Sequence, residues 1–339
     1  MPIPAPDLLE DQYGRVATDL RVSLTDRCNL RCQYCMPAEG LDWMATESTL
    51  SDDEVVRLIR IAVEQLGVRQ VRFTGGEPLL RRGLVDIVAR TAALEPRPRI
   101  AMTSNGLGLR HAAAALAAAG LDRVNISLDT VRPETFEQIT RRQRLGDVIA
   151  GLEAADQHGL APVKVNAVLL RGINDTEGPE LLQWCLDRGY QLRFIEQMPL
   201  DAQHGWHRDA MVTAEEIFAS LATAFALSPV DHPRGAAPAE EFLVDSGPAT
   251  VGVIASVTRP FCGDCDRVRL TADGQVRNCL FAREESDLRA LLRGTGREPA
   301  GDAVIAESWR KAMWGKRPGH GIDDVGFLQP TRPMSAIGG

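Results

Sequence analysis

The sequence predicts an α/β protein: a partial (β/α)6-type TIM barrel followed by a smaller C-terminal region. Strand-like and helix-like segments alternate from about residue 19 to 196, and such alternation makes βαβ units and a parallel sheet. No glycine-rich dinucleotide fingerprint follows any of the strands, which favours an open barrel over a doubly wound sheet. Beyond about residue 225 the alternation stops. The chain is therefore divided into 1–225, the barrel, and 226–339, a region expected to cover the barrel mouth.

The first strand is 20–24, Leu20-Arg21-Val22-Ser23-Leu24. A helix is expected over 51–66, because Ser51 and Glu54 can form a capping box and Gly67 can stop it. Strand 69–74, helix 83–94, strand 99–103 and helix 110–119 follow, the last ended by Gly120. Strand 123–128 leads into helical sequence over 133–158, expected to break at Gly146 and to end at Gly159. Strand 163–169, helix 176–188 with Gly189 at its end, and strand 191–196 complete the barrel. Residues 228–249 are rich in Pro, Ala, Gly and Asp and read as a loop before strand 250–255. Residues 267–271 and 275–279 flank Asp273-Gly274, a strong signal for a hairpin.

With 339 residues, 44% of them hydrophobic and 25% charged, the chain has the make-up of a soluble protein with a full-sized core. A net charge of −8 speaks against a nucleic-acid partner. No apolar run approaches the ~20 residues that cross a bilayer, so no membrane partner is expected. The N-terminus, residues 1–9, is Pro-rich and acidic and lacks the regions of a secretion signal. A cytoplasmic setting follows, in which thiols serve as metal ligands or catalysts more often than as disulfides.

Six of the seven cysteines form two trios. In Cys28-x3-Cys32-x2-Cys35 an aromatic residue, Tyr34, precedes the last thiol, and no fourth ligand lies nearby. Three thiolates can hold three irons of a cubane [4Fe–4S] cluster and leave the fourth open to a small molecule. Structural zinc would want four protein ligands. The second trio, Cys262-x2-Cys265-x13-Cys279, has the same shortage; its nearest downstream histidine is the distant His320. A zinc knuckle borrowing an outside ligand is the alternative there, but the shared shortage favours a second open-iron cluster. Cys185, in Leu181-Leu182-x-Trp184-Cys185-Leu186, reads as a buried helix residue. Arg267-Val268-Arg269 places two guanidinium groups on one face of a strand, either a solvated surface or a clamp for phosphates. Polar motifs fall where barrels collect ligands, at the strand ends: Thr74-Gly75-Gly76-Glu77-Pro78, Thr103-Ser104-Asn105-Gly106, Ser127-Leu128-Asp129, Asn166 and Glu196-Gln197-Met198-Pro199.

The first cysteine loop with Tyr34, followed by Gly75-Gly76-Glu77-Pro78, resembles the radical S-adenosylmethionine (SAM) superfamily. That resemblance implies a cluster whose open iron chelates the amino and carboxylate groups of SAM, and one-electron cleavage to a 5′-deoxyadenosyl radical. The full combination resembles the GTP 3′,8-cyclase family of molybdenum cofactor (molybdopterin) synthesis. The matching stretches run from Leu20-Arg21-Val22-Ser23-Leu24-Thr25-Asp26-Arg27-Cys28 through Asn125-Ile126-Ser127-Leu128-Asp129, Lys164-Val165-Asn166 and Arg193-Phe194-Ile195-Glu196. They end with Cys262-Gly263-Asp264-Cys265-x-Arg267-x-Arg269-Leu270 and the tail Met334-Ser335-Ala336-Ile337-Gly338-Gly339.

By this resemblance, Cys28, Cys32 and Cys35 ligate the SAM cluster, and Cys262, Cys265 and Cys279 ligate a second [4Fe–4S] cluster facing the guanine. Tyr34, Gly76, Ser127 and Met198 correspond to SAM contacts. Arg21, Arg72, Thr103, Lys164, Arg267, Val268 and Arg269 correspond to GTP contacts, with Arg267, Arg269, Gly338 and Gly339 assigned to catalysis. The implied reaction removes hydrogen from C3′ of GTP and joins C3′ to C8, giving (8S)-3′,8-cyclo-7,8-dihydroguanosine 5′-triphosphate. An external one-electron reductant, a downstream cyclic pyranopterin monophosphate synthase and a homodimer are implied with it. One departure stands out: Gln70 occupies a position, two before Arg72, that is often basic in the family, so one phosphate contact is expected to be weaker or replaced. The rivals are a peptide-modifying radical SAM enzyme with an auxiliary cluster, and a non-catalytic electron carrier or zinc-held module.

Overall fold

The computed structural model describes residues 8–294 and 298–338. The barrel units run β1 (Asp19–Ser23), α1 (Asp52–Leu66), β2 (Gln70–Thr74), α2 (Leu84–Ala92), β3 (Arg99–Ser104), α3 (Leu109–Ala118), β4 (Arg123–Ser127), α4 (Pro133–Thr140), α5 (Leu145–Gln157), β5 (Lys164–Val168), α6 (Gly178–Leu186) and β6 (Gln191–Ile195). After them come α7 (Ala214–Leu221), β7 (Leu227–Pro229), β8 (Glu240–Val244), β9 (Thr250–Ile254), β10 (Arg267–Leu270), β11 (Gln275–Arg277), β12 (Ser286–Asp287), α8 (Leu288–Arg293), α9 (Asp302–Trp314) and α10 (Met334–Ile337). Among the described residues, no helix is long and apolar enough to cross a membrane.

One sheet carries all these strands, in the order β12-β11-β10-β1-β2-β3-β4-β5-β6-β9-β8-β7. Neighbours from β1 to β6 pair in parallel, as the alternating sequence requires. The C-terminal strands lengthen the sheet at both edges: β10 lies parallel on β1 and β9 parallel on β6. The remaining additions, β11 on β10 and β12 on β11 at one edge and β8 on β9 and β7 on β8 at the other, are antiparallel. Gly274 supplies the positive φ of 79° in the β10–β11 turn.

Period-2 alternation sorts the strands into two faces. Leu20, Val22, Val71, Phe73, Ile126 and Phe194 are wholly buried and join Leu58, Ile59, Ile87, Leu116, Val148 and Leu182 of the helices in one apolar core. The other face carries Arg21, Arg72, Thr103, Asn125, Asn166, Arg193 and Arg269, which line the hollow of the barrel. A closed barrel fills its centre with branched apolar side chains. This one is polar inside, and the space is kept for a ligand.

Three sequence expectations are corrected. The helical stretch 133–158 breaks ahead of Gly146: α4 stops at Thr140, with Arg141, five residues before Gly146, in the left-handed conformation at φ 57°, and Gly146 lies inside α5. Residues 228–249 are not all loop, because β7 and β8 pair there and continue the sheet. Glu196 borders the hollow, but its carboxylate is engaged by the fold. Its carboxylate is 1% exposed and accepts hydrogen bonds from the backbone N–H groups of Ala214, Val257 and Thr258 at 2.8–2.9 Å, tying the end of β6 to the start of α7 and to the segment after β9.

Candidate active site

The first thiol loop is stitched to its surroundings by backbone. Gly76 N–H donates to Thr25 O and Glu77 N–H to Arg27 O, both at 2.7 Å, so the turn after β2 lies flat against the chain leading into Cys28. A Cβ on Gly75 would collide with Thr25 O, and one on Gly76 with Arg27 O and Asp26 O. Both glycines are required by this close approach. Glu77, fully buried, accepts from Ser104 Oγ (2.8 Å), Asn105 N–H (2.7 Å) and Leu79 N–H (3.0 Å); burial pushes its carboxyl up to about 7. On the far side, the end of α4 holds the loop: Thr140 O accepts from Arg31 N–H, and Arg141 donates to Arg31 O at 2.7 Å.

Cys28, Cys32 and Cys35 all carry free thiols that open into a single cavity of about 340 Å³. Burial raises all three thiols, Cys35 to about 12. Hydrogen bonds from Asn105 to Cys28 and from Tyr34 to Cys32 offset only part of this burial, and a metal that binds thiolates would release the remaining protons. Tyr34 donates to Asp129 Oδ2 at 3.0 Å, while Val168 N–H donates to Oδ1 at 2.9 Å. Burial lifts Asp129 to about 6. Ser127, Gly76 and Met198 line the same wall of the cavity as Tyr34.

Across the cavity stands the second trio. Cys262 begins a one-turn 3-10 helix, Cys262–Asp264, that Cys265 closes, and Cys279 follows β11. Burial raises Cys262, whereas Cys265 falls below the usual thiol range because Lys316 and Arg267 outweigh its burial. His320, remote in sequence, lines the cavity too, its Nε2 3.0 Å from Ser256 O. Among the described residues, no three His, Cys, Asp or Glu side chains are arranged around a single metal ion.

Between the trios lies a row of cations set by strand register. Arg21 is directly opposite Arg72 on β2 and Arg269 on β10, and Asn166 is opposite Arg193. Burial pushes Arg21 and Arg269 down to about 9 and Arg72 to about 10, with repulsion among them adding to it. Guanidinium groups still remain charged at neutral pH. Asp19 answers part of this charge, 3.8 Å from Arg72, and Glu241 lies 3.6 Å from Arg193. The Nε atoms of Arg21, Arg72 and Arg267, with Thr74 Oγ1, Asn125 Oδ1 and Asn166 Oδ1, are buried without any hydrogen-bond partner. Each such orphan costs ~1–3 kcal/mol, so the hollow is shaped for a polar, anionic guest. Arg267 also stacks on Phe261, 4.7 Å from the ring centre.

The C-terminal tail is packed rather than frayed. In α10, Ser335, Ala336 and Ile337 are buried, and Met334 N–H donates to Leu200 O at 3.0 Å. Arg269 donates from Nη1 to Gly338 O. Gly338 has φ 78°, and a Cβ there would collide with Thr74 Oγ1. Gly339 and residues 1–7 lie outside the described residues.

The structure thus brings most sequence-derived candidates into one hollow: both trios, Tyr34, Gly76, Ser127, Met198, Arg21, Arg72, Thr103, Arg267 and Arg269. Lys164 sits one register step below Asn166 at the start of β5, where burial pushes it down to about 8. Val268 is wholly buried on the opposite face, paired with Leu20, so only its backbone is available to a ligand. Gln70 is engaged, donating to Asp19 Oδ2 at 2.8 Å and accepting from Arg123 at 3.0 Å. Sequence reasoning gave no role to Asp129, Asn105, His320 or Lys316. Asp129 and Asn105 stood in motifs already noted at strand ends; the other two carry no local signal.

Comparison with known proteins covers nearly the whole chain. The radical SAM superfamily model matches residues 22–185, and the Molybdenum Cofactor Synthesis C model matches residues 190–322. A GTP 3′,8-cyclase of Streptomyces coelicolor is 66% identical over 333 residues, which is 98% of this chain and 96% of that protein. A GTP 3′,8-cyclase of Mycobacterium sp. strain KMS is 63% identical over 339 residues, covering 100% of this chain and 95% of that one. The solved structure of Streptococcus suis SuiB bound to S-adenosylmethionine shares the fold, with a TM-score of 0.57 at 13% identity over 91% of this chain and 68% of SuiB.

Proposed function

The chain belongs to the GTP 3′,8-cyclase family of the radical SAM superfamily, and from that membership we propose how its hollow divides the work of the reaction. It is a radical SAM enzyme of molybdenum cofactor synthesis, using SAM and a [4Fe–4S] cluster to convert GTP to the 3′,8-cyclised triphosphate. The observation that carries the residue-level reading is the meeting of two thiol trios and a row of guanidinium groups, three of them with an unpartnered Nε, in one cavity. The free thiols and the glycine cradle suit an iron–sulfur group, and the orphaned donors suit a nucleotide triphosphate.

Cys28, Cys32 and Cys35 would hold the first cluster, and Cys262, Cys265 and Cys279 a second [4Fe–4S] cluster at the purine end. When bound, the first cluster and SAM supply a carbon radical able to take hydrogen from an unactivated C–H bond. Tyr34, Gly76, Ser127 and Met198 line the SAM side, with Asp129 fixing the Tyr34 hydroxyl. Arg21, Arg72, Lys164, Arg267 and Arg269 draw the triphosphate into an otherwise acidic protein, and Thr103 and the Val268 backbone complete that wall. These contacts hold C3′ near the radical source and exclude water and other hydrogen donors. Gly338 closes the site from the tail, and a catalytic part is proposed for it and for Gly339. Residues 1–225 then generate the radical and supply part of the phosphate clamp, and 226–339 add the second trio and the rest of the clamp. A cytoplasmic location, an external one-electron donor, a cyclic pyranopterin monophosphate synthase taking the product, and a homodimer complete the proposal.

The test is anaerobic reconstitution with iron and sulfide, then mass spectrometry of the products from GTP and SAM. Cyclised triphosphate and 5′-deoxyadenosine should form together, and only when GTP, SAM and a reductant are all present. Product formed without SAM would overturn the reading. Binding of GTP should also depend on pH. Lys164 is pushed down to about 8, by burial first and then by Arg193 and Arg123, and a bound phosphate raises it again. The complex therefore takes up a proton above that value. Affinity is full below pH 8 and falls by up to about tenfold per pH unit above it. Titrations at pH 7 to 9 should show the fall, and Lys164→Arg should flatten it. A flat profile in the native protein would rule Lys164 out as a phosphate partner.

A further inference from the structure

Lys316 follows the last turn of α9 and is 2% exposed. Its ammonium group has three protons and three partners: Cys265 O at 3.0 Å, Arg267 O at 2.9 Å and Cys265 Sγ at 3.3 Å. Among the described residues it has no carboxylate partner. A buried ammonium without a counter-ion costs several kcal/mol, so the burial makes sense only if an anion sits beside it. Among the described residues the group within reach that can become an anion is the Cys265 sulfur, in the thiolate form in which a cysteine binds iron.

The next two residues work on the same turn from the other side. Arg15, near the N-terminus, donates to Cys262 O at 2.6 Å, and also to Arg317 O at 2.6 Å and Pro318 O at 3.1 Å. The 316–318 segment thus grips the thiol-bearing turn at both ends. Only one of the two grips touches sulfur. Among the described residues the sulfurs of the first trio meet only neutral side-chain donors, Asn105 Nδ2 at 3.7 Å from Cys28 Sγ and the Tyr34 hydroxyl at Cys32.

We infer that Lys316 is a positioning residue for the second thiol trio, locking Cys265 to the start of β10 and donating a charged N–H to its sulfur. The inference rests on the proposal that this trio binds an iron–sulfur cluster. Through Arg267 O, Lys316 also fixes the strand that aims Arg267 and Arg269 into the hollow, so cluster and anion clamp keep one spacing. A cation donating to a ligand sulfur stabilises the more negative, reduced form of a cluster and raises its potential. The second site should therefore be easier to reduce than its three thiolates alone would make it.

The experiment uses the full chain with Cys28, Cys32 and Cys35 replaced by Ala, so that any cluster bound is the second one. This parent is reconstituted anaerobically, its iron counted, and its cluster titrated by electron paramagnetic resonance. In that background Lys316→Met should shift the potential to more negative values. Arg15→Met strips the same turn of a donor to the Cys262 carbonyl but removes no hydrogen bond to sulfur; its charge lies near Cys262 but is paired with Asp11, so it should move the potential clearly less than Lys316→Met. Lys316→Gln, which keeps a neutral N–H, should fall between parent and Lys316→Met, and it replaces Lys316→Met in the comparison if the latter fails to fold. An unmoved potential in the Lys316 variants, or equal shifts from Lys316 and Arg15 variants, would overturn the inference. A parent that binds no iron–sulfur cluster would instead overturn the reading of the trio itself.

Discussion

Cys28→Ala protein should form no 5′-deoxyadenosine above the level seen without enzyme, whereas Cys279→Ala protein should still cleave SAM and yield no cyclised product. The two thiols border one cavity but belong to different parts of the chain. Cys28 belongs to the loop stitched to β2 and α4 by backbone hydrogen bonds, and removing its thiol leaves a cluster there with two protein ligands. Cys279 follows β11 at the edge of the sheet, beyond the arginine row. Its loss leaves the first loop untouched, so SAM cleavage with GTP present should stay within about tenfold of the native rate, a change of ~1.4 kcal/mol in barrier. Cyclisation should fall by orders of magnitude, because the purine loses its anchor while the radical is still made. Deoxyadenosine and cyclised product, measured side by side, give the answer. Equal loss of SAM cleavage in both variants would mean that the trios do not have separate roles.

The next largest effect is expected at the junction between Arg269 and the tail. Arg269 is 5% exposed and shared between the hollow and Gly338 O. A charge-assisted hydrogen bond contributes ~1.5–3 kcal/mol, so Arg269→Met should lower kcat/KM for GTP by about 10- to 150-fold. Gly338→Ala attacks the same junction from the other side. Its φ of 78° disfavours any side chain, and the new methyl would run into Thr74 Oγ1. The left-handed backbone alone costs ~1–2 kcal/mol, and the tail is expected to swing out of the cavity mouth. Because both changes break one contact, the double variant should lose clearly less than the product of the single losses. Thermal unfolding should barely move for Gly338→Ala, since the tail packs on a small cluster around Leu200 and Phe281 and not on the main core. Full activity in Gly338→Ala protein would remove the tail from the site.

Much of this arrangement was legible in the sequence because parallel strands repeat one rule. Leu20, Val22, Val71 and Phe73 had to face helices, and that placed Arg21 and Arg72 on the inner side. The spacing of the cysteines pointed to chemistry without help from the fold. Other features were hidden for physical reasons. The strand Glu240–Val244 lies in a stretch whose Pro, Ala and Gly content masks it, and its place beside β9 depends on pairing and not on local preference. Glu196 resembled its neighbours at other strand ends, yet its burial under three N–H donors makes it a structural tie. Helix α4 ended where Arg141 could reach Arg31 O and Met36 O, a tertiary reward that Gly146 does not offer. Lys316 and Arg15 reach the second trio only through folding: 302 residues separate Arg15 from its partner Arg317, and no motif marks either residue.

The central claim is that the hollow holds C3′ of GTP next to the radical made at the Cys28 loop. GTP deuterated at C3′, incubated anaerobically with reconstituted enzyme, SAM and reductant, tests it in one turnover. The account predicts one deuterium in the 5′-deoxyadenosine and none left at C3′ of the cyclised product. Deoxyadenosine that forms free of deuterium while cyclised product accumulates would contradict it.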